Sequence, residues 1–373
     1  MHIRMRGRFA VALAALSLLG PAAGCGQDQK KDSGPVDAGV DDGGPLVNAG
    51  RLGAALASAA TPAPPASAGA GPAEGPPESG VFAQGAGDAV LSKSTPYKLE
   101  LLGEGSEPRA LLATKIDAKA EQKSAVLLGL RGANLPSIDM AVSFKVDKPA
   151  KAAEAPPGTT VVAKVLSAVP ASMSLGGPAK ELTDLFGKLK GSTVRYQLSP
   201  ANTIQDMTFE LPKGAEPALV QVLESLGEAI SLLTTPMPDK PVGVGAYWMV
   251  TDRLLWPGAK IPLLRYRVFK ITSIEPNGAV TFSVDTRQYA EEGTVKLPQG
   301  AQEVSATLDA LESAGKGTLV WDPAALAPRQ GELNQRLVAR VMPPGAPPGS
   351  PQRLAIQSEL AVRFQPPEPA KTP

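Results

Sequence analysis

The sequence predicts a mostly β body, all-β to α+β in class, built on one large curled antiparallel sheet with one or two amphipathic helices packed on it. Three observations predict this fold class. Apolar and polar residues alternate with a period of two in many short segments. Turn-forming residues separate those segments. One segment near the middle of the chain places its apolar residues at helical spacing instead.

The alternating segments are the predicted strands. Over residues 138–146, five apolar side chains occupy every second position, as in a strand with one buried face. Asn277-Gly278 lies between two such segments and predicts a β-hairpin, because these residues accept the positive φ angles of a type I′ turn. The other predicted strands are Tyr97–Leu101, Val126–Leu130, Val194–Leu198, Met207–Leu211, Val280–Val284 and Leu354–Phe364.

The predicted helices are residues 216–233 and, shorter, Pro178–Leu189. An open sheet of ten or more strands tends to curl, and we expect the long helix to cover its concave face. The sheet is then half-barrel-like, either as one unit or as two similar halves, since Lys190–Tyr196 loosely echoes Lys316–Trp321. The polar positions of the long helix, expected to face away from the sheet, are Gln221, Glu224, Ser225 and Glu228.

Residues 1–24 have the three parts of a secretory signal peptide. Three arginines precede an apolar run over residues 9–19, which is shorter than the roughly 20 residues that a membrane-spanning helix needs. Ala22, Ala23, Gly24 and Cys25 follow. They resemble the lipobox of bacterial lipoproteins, in which small residues admit the signal peptidase and the cysteine receives a diacylglycerol. The family usually has Leu where this chain has Ala22.

This resemblance implies cleavage before Cys25, lipidation of Cys25 with palmitate-type acyl chains, and a protein anchored in the cell envelope. Gly26 at the next position favours the outer membrane over the inner one. Two or more acyl chains anchor a protein stably, because each buried methylene contributes about 0.8 kcal/mol. The membrane is therefore the first expected partner.

Composition predicts the remaining layout. Residues 25–95, which begin with the lipidated cysteine, are dominated by Gly, Ala, Pro, Ser and Asp and are expected to form a disordered tether, although Val81–Leu91 is a candidate for contact with the body. Residues 96–366 are the predicted β-rich globular domain. Residues 367–373 are expected to be a disordered tail.

Several kinds of chemistry are excluded by composition. The one histidine, His2, leaves with the signal peptide, and Cys25 is the one cysteine. A Ser-His-Asp triad, a Cys-His pair and zinc or copper sites built on these residues are therefore excluded from the mature chain. The chain has 37 basic and 36 acidic residues, so no field of one sign indicates nucleic acid as a partner. We expect no cofactor, no metal site and no catalytic residue.

Three functions remain open from the sequence. The first is a non-catalytic binding or interaction module for an apolar ligand or an envelope protein. The second is a structural spacer or assembly subunit. The third is a carboxylate-dependent hydrolase of envelope or external glycans, with Asp252, Asp285, Glu291 and Glu292 as candidates.

Two groups of strand residues bear on these functions. The aromatic side chains of the second half are expected to fill the core and need no ligand. The basic residues Lys145, Arg195, Arg265 and Arg267 are expected to be solvated on the faces of strands. The aromatic residues are Tyr247, Trp248, Trp256, Tyr266 and Phe269.

The predicted body also resembles known lipoproteins. A curled sheet with a helix over its concave face is similar to the architecture of periplasmic lipoprotein carriers and related lipid-binding lipoproteins. Asp239–Trp248 resembles a segment of uncharacterised β-rich bacterial lipoproteins, and the high Ala, Gly and Pro content is similar to lipoproteins of GC-rich soil bacteria such as myxobacteria. The resemblance implies no particular activity.

Overall fold

The computed structural model describes residues 79–82, 85–111, 116–131, 136–147, 158–171, 180–216, 219–256, 261–299, 302–342, 346–347 and 353–367. The chain divides into two compact units. The smaller unit contains residues 1–65 and 297–304, of which the structure describes 297–299 and 302–304. The larger unit contains residues 66–296 and 305–373, and the features that follow belong to it except for strand residues 297–299 and 302–304.

The described residues form sixteen strands and three helices. The helices are α1 (Ala86–Val90), α2 (Lys180–Gly187) and α3 (Val220–Leu233). The first eight strands are β1 (Gly80–Val81), β2 (Tyr97–Gly103), β3 (Ser106–Arg109), β4 (Glu121–Arg131), β5 (Ile138–Val146), β6 (Thr159–Pro170), β7 (Thr193–Leu198) and β8 (Ile204–Glu210). The others are β9 (Val242–Val244), β10 (Tyr247–Leu255), β11 (Pro262–Ile274), β12 (Val280–Ala290), β13 (Thr294–Gln299), β14 (Gln302–Trp321), β15 (Gln330–Met342) and β16 (Leu354–Gln365).

Fourteen of these strands form one sheet, and β3 and β9 pair separately. Hydrogen-bonded neighbours follow the order β2-β10-β11-β12-β14-β15-β16-β4-β5-β6-β7-β8, and every pairing along this path is antiparallel. β1 lies parallel to β12, and β13 pairs with β14. The path ends at β2 and β8 without closing. The fold class predicted from the sequence is therefore confirmed.

The sheet consists of two meanders that meet at the C-terminal strand. β4 to β8 form the first, and β10 to β16 form the second. They are joined because β16 pairs with β4, with Leu360 opposite Leu130. Phe364 of β16 and Phe144 of β5 continue this junction in the core, with ring centroids 6.4 Å apart. One hydrophobic core therefore extends across both meanders.

The sheet curls around α3. This helix contacts β7, β8 and β15, and its C-terminal carbonyls accept hydrogen bonds from β11. β11 and β8 stand nine strand spacings apart in the sheet order, which would be about 43 Å in a flat sheet. A helix about 10 Å across reaches both only if the sheet bends around it. The predicted helix over the concave face is thus present.

Burial of α3 is more complete than its amphipathic pattern predicts. Its apolar side chains are buried except that of Val220, and Leu226 and Ile230 are 0% exposed. Ser225, predicted to face away from the sheet, is only 5% exposed, and its hydroxyl donates to the Gln221 carbonyl within the helix. Gln221, Glu224 and Glu228 are only partly exposed. Sheet therefore covers more than one side of the helix.

The segment after α3 ties the two ends of the sheet together. The helix ends at Thr234, and Pro236 and Pro238 prevent its continuation. The Trp248 Nε1 of β10 donates to the Pro236 carbonyl at 2.9 Å. The Asn202 amide, just before β8, donates to the Thr235 carbonyl at 2.9 Å. These bonds hold the end of α3 between the two margins of the sheet.

The β11–β12 hairpin is present, but its turn is not type I′. The Gly278 amide donates to the Glu275 carbonyl at 3.0 Å, and only Gly278 in this turn has a positive φ, 91°. This turn starts at Glu275, so Pro276 is its first central residue, and the negative φ that the proline ring fixes there excludes type I′. The geometry is that of a type I turn followed by a glycine bulge.

Residues at the end of the predicted tether pack on the second meander. Phe82 is 8% exposed and packs against Tyr289 of β12, with ring centroids 4.7 Å apart and ring planes tilted by 31°. Arg253 of β10 donates to Asp88 at 2.9 Å, to the Ser92 carbonyl at 2.8 Å and to the Leu91 carbonyl. Within the described residues, the folded body therefore includes 79–82 and 85–95, earlier in the chain than the predicted boundary at residue 96.

Candidate functional site

The residues predicted for lipidation and signal cleavage, Cys25 and Ala22, Ala23 and Gly24, lie outside the described residues. The part of the chain that the structure describes contains no helix long and apolar enough to span a bilayer. A candidate site is therefore built from the side chains of the body.

Four of the five aromatic residues singled out from the sequence are buried, as expected, and Tyr247 is not. Trp248 and Phe269 are fully buried, and their ring centroids lie 6.1 Å apart. Phe282 packs edge-on against Trp248 at 5.6 Å. Trp256 and Tyr266 are buried too, and Tyr247 is partly exposed. Trp248, Phe269 and Phe282 pack against one another, whereas Tyr266 packs against Tyr289 with ring centroids 5.7 Å apart.

The four carboxylates proposed from the sequence do not form one site. Asp252 is bound by two arginines of β11. Asp285 lies on the opposite face of β12 from the core, 3.8 Å from Lys316. Glu291 accepts from Arg253 at 2.7 Å, and Glu292 is exposed. Each ion-paired member of the set is thus held by a different basic residue.

The expectation that the strand arginines are solvated is wrong for Arg265 and Arg267. Both are 3% exposed, because they share the core face of β11 with Phe269. Lys145 and Arg195 do lie at the surface, with side chains 59% and 50% exposed. Buried arginines require partners, and these two find them on β10 and α3.

Asp252, Arg265 and Arg267 form a buried arginine cluster. Arg265 donates from Nε and Nη2 to the two Asp252 oxygens at 2.8 and 2.7 Å, a bidentate pair. Arg267 Nη2 donates to Asp252 Oδ2 at 2.7 Å. Arg267 Nη1 donates to the carbonyls of Ser231 and Thr234 at 2.7 and 3.0 Å. A guanidinium therefore caps the C-terminus of α3, where positive charge is favourable.

Glu228 on α3 completes the electrostatics of this cluster. Burial alone would raise the pKa of Asp252, but Arg265 and Arg267 overcome that effect and hold it below its usual value. Burial raises the pKa of Glu228, which Arg265 only partly opposes. Burial, assisted by Arg265 and opposed by Asp252, lowers the pKa of Arg267 to about 10. Two cations thus share one strongly ionised carboxylate.

Polar side chains extend from this cluster across the core face of the sheet. Cα partners place Arg267 opposite Thr286, Thr286 opposite Gly315, and Gly315 opposite Gln335, across β11, β12, β14 and β15. Arg265 lies opposite Gln288 in the neighbouring row. We call this set the polar band; it comprises Arg265, Arg267, Thr286, Gln288, Ser313, Gly315 and Gln335.

The hydrogen-bonding capacity of the polar band is not met by the described protein atoms. Among all the residues that the structure describes, seven buried side-chain atoms have no hydrogen-bond partner, and five of these seven belong to the polar band. Buried polar atoms are normally satisfied, so each of these groups requires an explanation, such as an ordered water molecule or an ion. The five are Arg267 Nε, Thr286 Oγ1, Gln288 Oε1, Ser313 Oγ and Gln335 Oε1.

Gly315 lies at the centre of the band and lets its neighbours approach one another. A Cβ atom at this position would lie 2.3 Å from the Thr286 methyl carbon and 3.2 Å from Gln335 Cβ. A side chain there would separate these residues and cover the backbone between them. The glycine therefore lets the Thr286 methyl group and Gln335 pack directly over its backbone.

Sequence reasoning missed this band, although a signal was present. Thr286 and Gln288 continue the period-two positions of Val280, Phe282 and Val284, so their side chains share the core face of β12. Polar residues at core positions of an alternating strand are the feature that could have identified the site.

Comparison with protein-family models, curated proteins and solved structures finds no match to this chain. Among the described residues, no group of three or more His, Cys, Asp or Glu side chains is placed to hold a metal ion. The candidate site therefore rests on the geometry of the arginine cluster and the polar band.

Proposed function

We propose that the chain is a lipid-anchored protein of the bacterial cell envelope whose body is a non-catalytic binding module. Its anchoring is supported by the lipobox-like Ala22-Ala23-Gly24-Cys25 after an apolar run, with Cys25 the one cysteine of the chain. The observation that carries the binding role is the polar band, which holds five buried polar atoms without a partner among the described residues.

The packing around α3 favours a polar ligand over an apolar one. An apolar ligand would need space between the sheet and the helix. Leu223, Leu226 and Ile230 of the helix are fully buried in the core there. Hydrogen-bonding groups without partners lie instead beside the end of the helix, at the polar band. The binding module is therefore proposed to recognise a polar molecule at this band.

A catalytic role has weaker support. Glycan hydrolysis needs two carboxyl groups that face one substrate, about 5–9 Å apart. Asp252, Asp285 and Glu291 are paired with Arg265, Lys316 and Arg253 respectively, on different parts of the sheet. A spacer role has no dedicated observation behind it, because a spacer does not need buried polar groups.

The anchor is tested with Cys25→Ser in a Gram-negative host. Wild-type protein should fractionate with membranes and incorporate a palmitate analogue, whereas the variant should do neither. Gln29→Ser, which introduces the same residue four positions later, is the control and should behave as wild type. Membrane retention of the unlabelled Cys25→Ser protein would disprove lipid anchoring.

The binding role is tested by native mass spectrometry on the full-length chain after release from detergent. We expect a small additional mass that disappears when the protein is denatured. Additional mass that is removed only by organic extraction would identify an apolar ligand instead and would contradict the polar site.

A further inference from the structure

We propose that the free edge of β2 pairs with the same edge of a second copy of this chain, which gives a two-fold symmetric dimer. The inference goes beyond the binding role proposed above and depends neither on the polar band nor on the lipid anchor. It follows from the exposure of this margin of the sheet, from the regularity of its strand and from the order of its charges.

β2 has one backbone edge that no described strand covers. It stands at the end of the path through the large sheet, and β10 is the one described strand that pairs with it. None of its seven residues is buried, whereas three residues of the neighbouring β10 are. The outward N–H and C=O groups of an edge strand can pair with a strand of another chain. β2 therefore offers a surface for strand addition.

The backbone of β2 is regular enough to accept another strand. Proteins commonly protect a sheet edge with proline, with a bulge or with charged side chains. Tyr97–Leu101 contains no proline and no residue with positive φ, and its register irregularity with β10 lies beyond Leu101. Its charged residues are one base and one acid, Lys98 and Glu100, so a suitable second strand can compensate both.

The opposite margin of the sheet, β8, is less suited to pairing with itself. Asp206 in the middle of this strand has a positive φ of 50°, and the register with β7 is irregular between Arg195 and Gln197. The charged residues of β8, Asp206 and Glu210, are both acidic. Bulges disrupt the ladder of backbone hydrogen bonds, and like charges across two strands are destabilising. Self-association is therefore assigned to β2.

The charges of β2 complement each other in an antiparallel pair of identical strands. A two-fold axis beside Leu99 places Lys98 opposite Glu100 of the second copy, and Glu100 opposite Lys98 of that copy. Within one chain, Lys98 Nζ lies 3.4 Å from Glu100 Oε2, and these side chains are 56% and 48% exposed. The dimer joins two such pairs into four charges of alternating sign. Opposite charges that face each other across two strands stabilise the pairing.

The same register matches the apolar side chains on the other face of β2. Tyr97, Leu99 and Leu101 are partly exposed and pack against the margin of the hydrophobic core. The two-fold axis places Leu99 opposite Leu99 of the second copy, and Tyr97 opposite Leu101 of that copy. Pairing removes part of this apolar surface from water, which is favourable. Both faces of β2 therefore favour one register.

The dimer is expected to be weak. Antiparallel pairing in this register forms about four to six backbone hydrogen bonds between the two copies. Two strands of this length bury less surface than the roughly 1,200–2,000 Å² of a stable interface. We therefore expect a Kd on the order of 10 μM, as for transient complexes.

The test measures the mass of the full-length chain by native mass spectrometry after release from detergent, with a reducing agent present so that Cys25 cannot join two copies. We expect a dimer whose fraction rises with protein concentration over about 1–100 μM. Lys98→Glu turns two attractive cross-strand pairs into repulsive ones and should raise the Kd of the dimer at least about tenfold. Lys123→Glu, at an exposed position of β4, is the control and should dimerise as wild type does.

Exchange of the two charges provides a rescue. The double variant Lys98→Glu, Glu100→Lys restores opposite charges in the same register, so its Kd should return to within about threefold of the wild-type value. A zero-length carbodiimide cross-linker gives an independent readout in a mixture of unlabelled and isotopically labelled wild-type protein. We expect cross-linked peptides that join Lys98 of one copy to Glu100 of the other and carry both labels, since a bond within one chain carries a single label.

Three results would overturn the inference. Monomer alone at every concentration would leave the edge of β2 to a strand of a different protein. A dimer that Lys98→Glu weakens no more than Lys123→Glu does would place the interface elsewhere on the chain. Failure of the double variant to recover dimerisation would show that Lys98 and Glu100 do not face each other. Since no readout depends on a ligand at the polar band or on acylation of Cys25, failure here is distinguishable from failure of the proposed function.

Discussion

At the scale of single residues, Asp252 is the carboxylate that two buried arginines share. Its replacement by Asn keeps the shape of the side chain but removes the charge that compensates Arg265 and Arg267. Breaking a buried ion pair by removing one partner costs about 3–5 kcal/mol. We therefore expect Asp252→Asn to lower the free energy of unfolding by that amount, measured from urea denaturation midpoints.

Asp285→Asn is the matched control for this substitution. Asp285 pairs with Lys316 at 3.8 Å, and their side chains are 35% and 79% exposed. Exposed pairs contribute about 0–1 kcal/mol, so the control should be nearly neutral. Equal midpoints for Asp252→Asn and Asp285→Asn would show that Asp252 does not hold the arginine cluster together.

Glu228 predicts a pH dependence of stability. Its pKa is raised above 4.5 by burial, so the folded protein holds this proton more tightly than the unfolded chain does. The contribution to stability is fully present below the unfolded pKa and is lost as pH rises through the folded one. Glu228→Gln should remove this loss and stabilise the protein at neutral pH, as followed by urea midpoints across a pH series.

Two comparisons make the Glu228 measurement decisive. Glu312→Gln changes a side chain that is 62% exposed and should leave the pH dependence as in wild type. Asp252, whose pKa is lowered, has the opposite sign, since its contribution is lost as pH falls below its usual range. A wild-type pH slope retained in Glu228→Gln would assign the dependence to another group.

The sequence predicts these residues only in part. The alternation of β11 places Arg265 and Arg267 on the same face as Phe269, yet basic residues on strands are usually solvated. Their burial depends on Asp252, thirteen residues before Arg265, and on Ser231 in the helix. Such partners come together only through the sheet register and the position of α3, which local periodicity does not encode.

At the scale of secondary-structure elements, sequence periodicity predicts whether a segment is a helix or a strand better than it predicts which of its side chains are buried. The predicted strand at residues 138–146 has the same bounds in the structure, and the predicted helix is present as Val220–Leu233. The burial of Ser225 was not predicted, because an amphipathic pattern assumes one wet face. A curled sheet covers more than one face of a helix, and only the tertiary structure reveals this.

The segment over residues 79–95 is an element whose docking depends on one side chain. Arg253 donates to Asp88 and to the backbone carbonyls of Leu91 and Ser92, and its side chain is 22% exposed. Hydrogen bonds to charged groups contribute about 1.5–3 kcal/mol each. We expect Arg253→Ala to raise hydrogen exchange in residues 86–91 at least about tenfold, measured by mass spectrometry.

Lys93→Ala is the control, because Lys93 also pairs with Asp88, at 3.2 Å, but with a side chain 78% exposed. That variant should exchange as wild type does. If the two variants exchange alike, the contact of Phe82 with Tyr289 rather than Arg253 holds the segment. Composition predicted a tether here because Gly85–Asp88 contains only small and acidic residues. The arginine that binds the segment lies elsewhere in the chain, on β10.

At the scale of the whole molecule, β16 determines whether the larger unit unfolds in one step. It is the last described strand in the chain and stands between β15 and β4, so it joins the two meanders. Local sequence patterns predict the individual strands but not the order in which they pair in the sheet. The pairing of β16 with β4 connects residues more than 200 positions apart, and no turn signal links them.

Phe364→Ala tests that role of β16. Phe364 is fully buried beside Phe144, and truncation of a buried Phe costs about 3–5 kcal/mol. The three tryptophans, Trp248, Trp256 and Trp321, all lie in the second meander or next to it, whereas circular dichroism reports every strand. We expect both signals to shift to the same lower urea midpoint, because one core spans both meanders.

Leu354→Ala, at a side chain 50% exposed on the same strand, is the control. It should change the free energy of unfolding from either signal by no more than about 0.5 kcal/mol. Separate midpoints for fluorescence and circular dichroism in Phe364→Ala would mean that the meanders unfold independently and that β16 belongs energetically to only one of them.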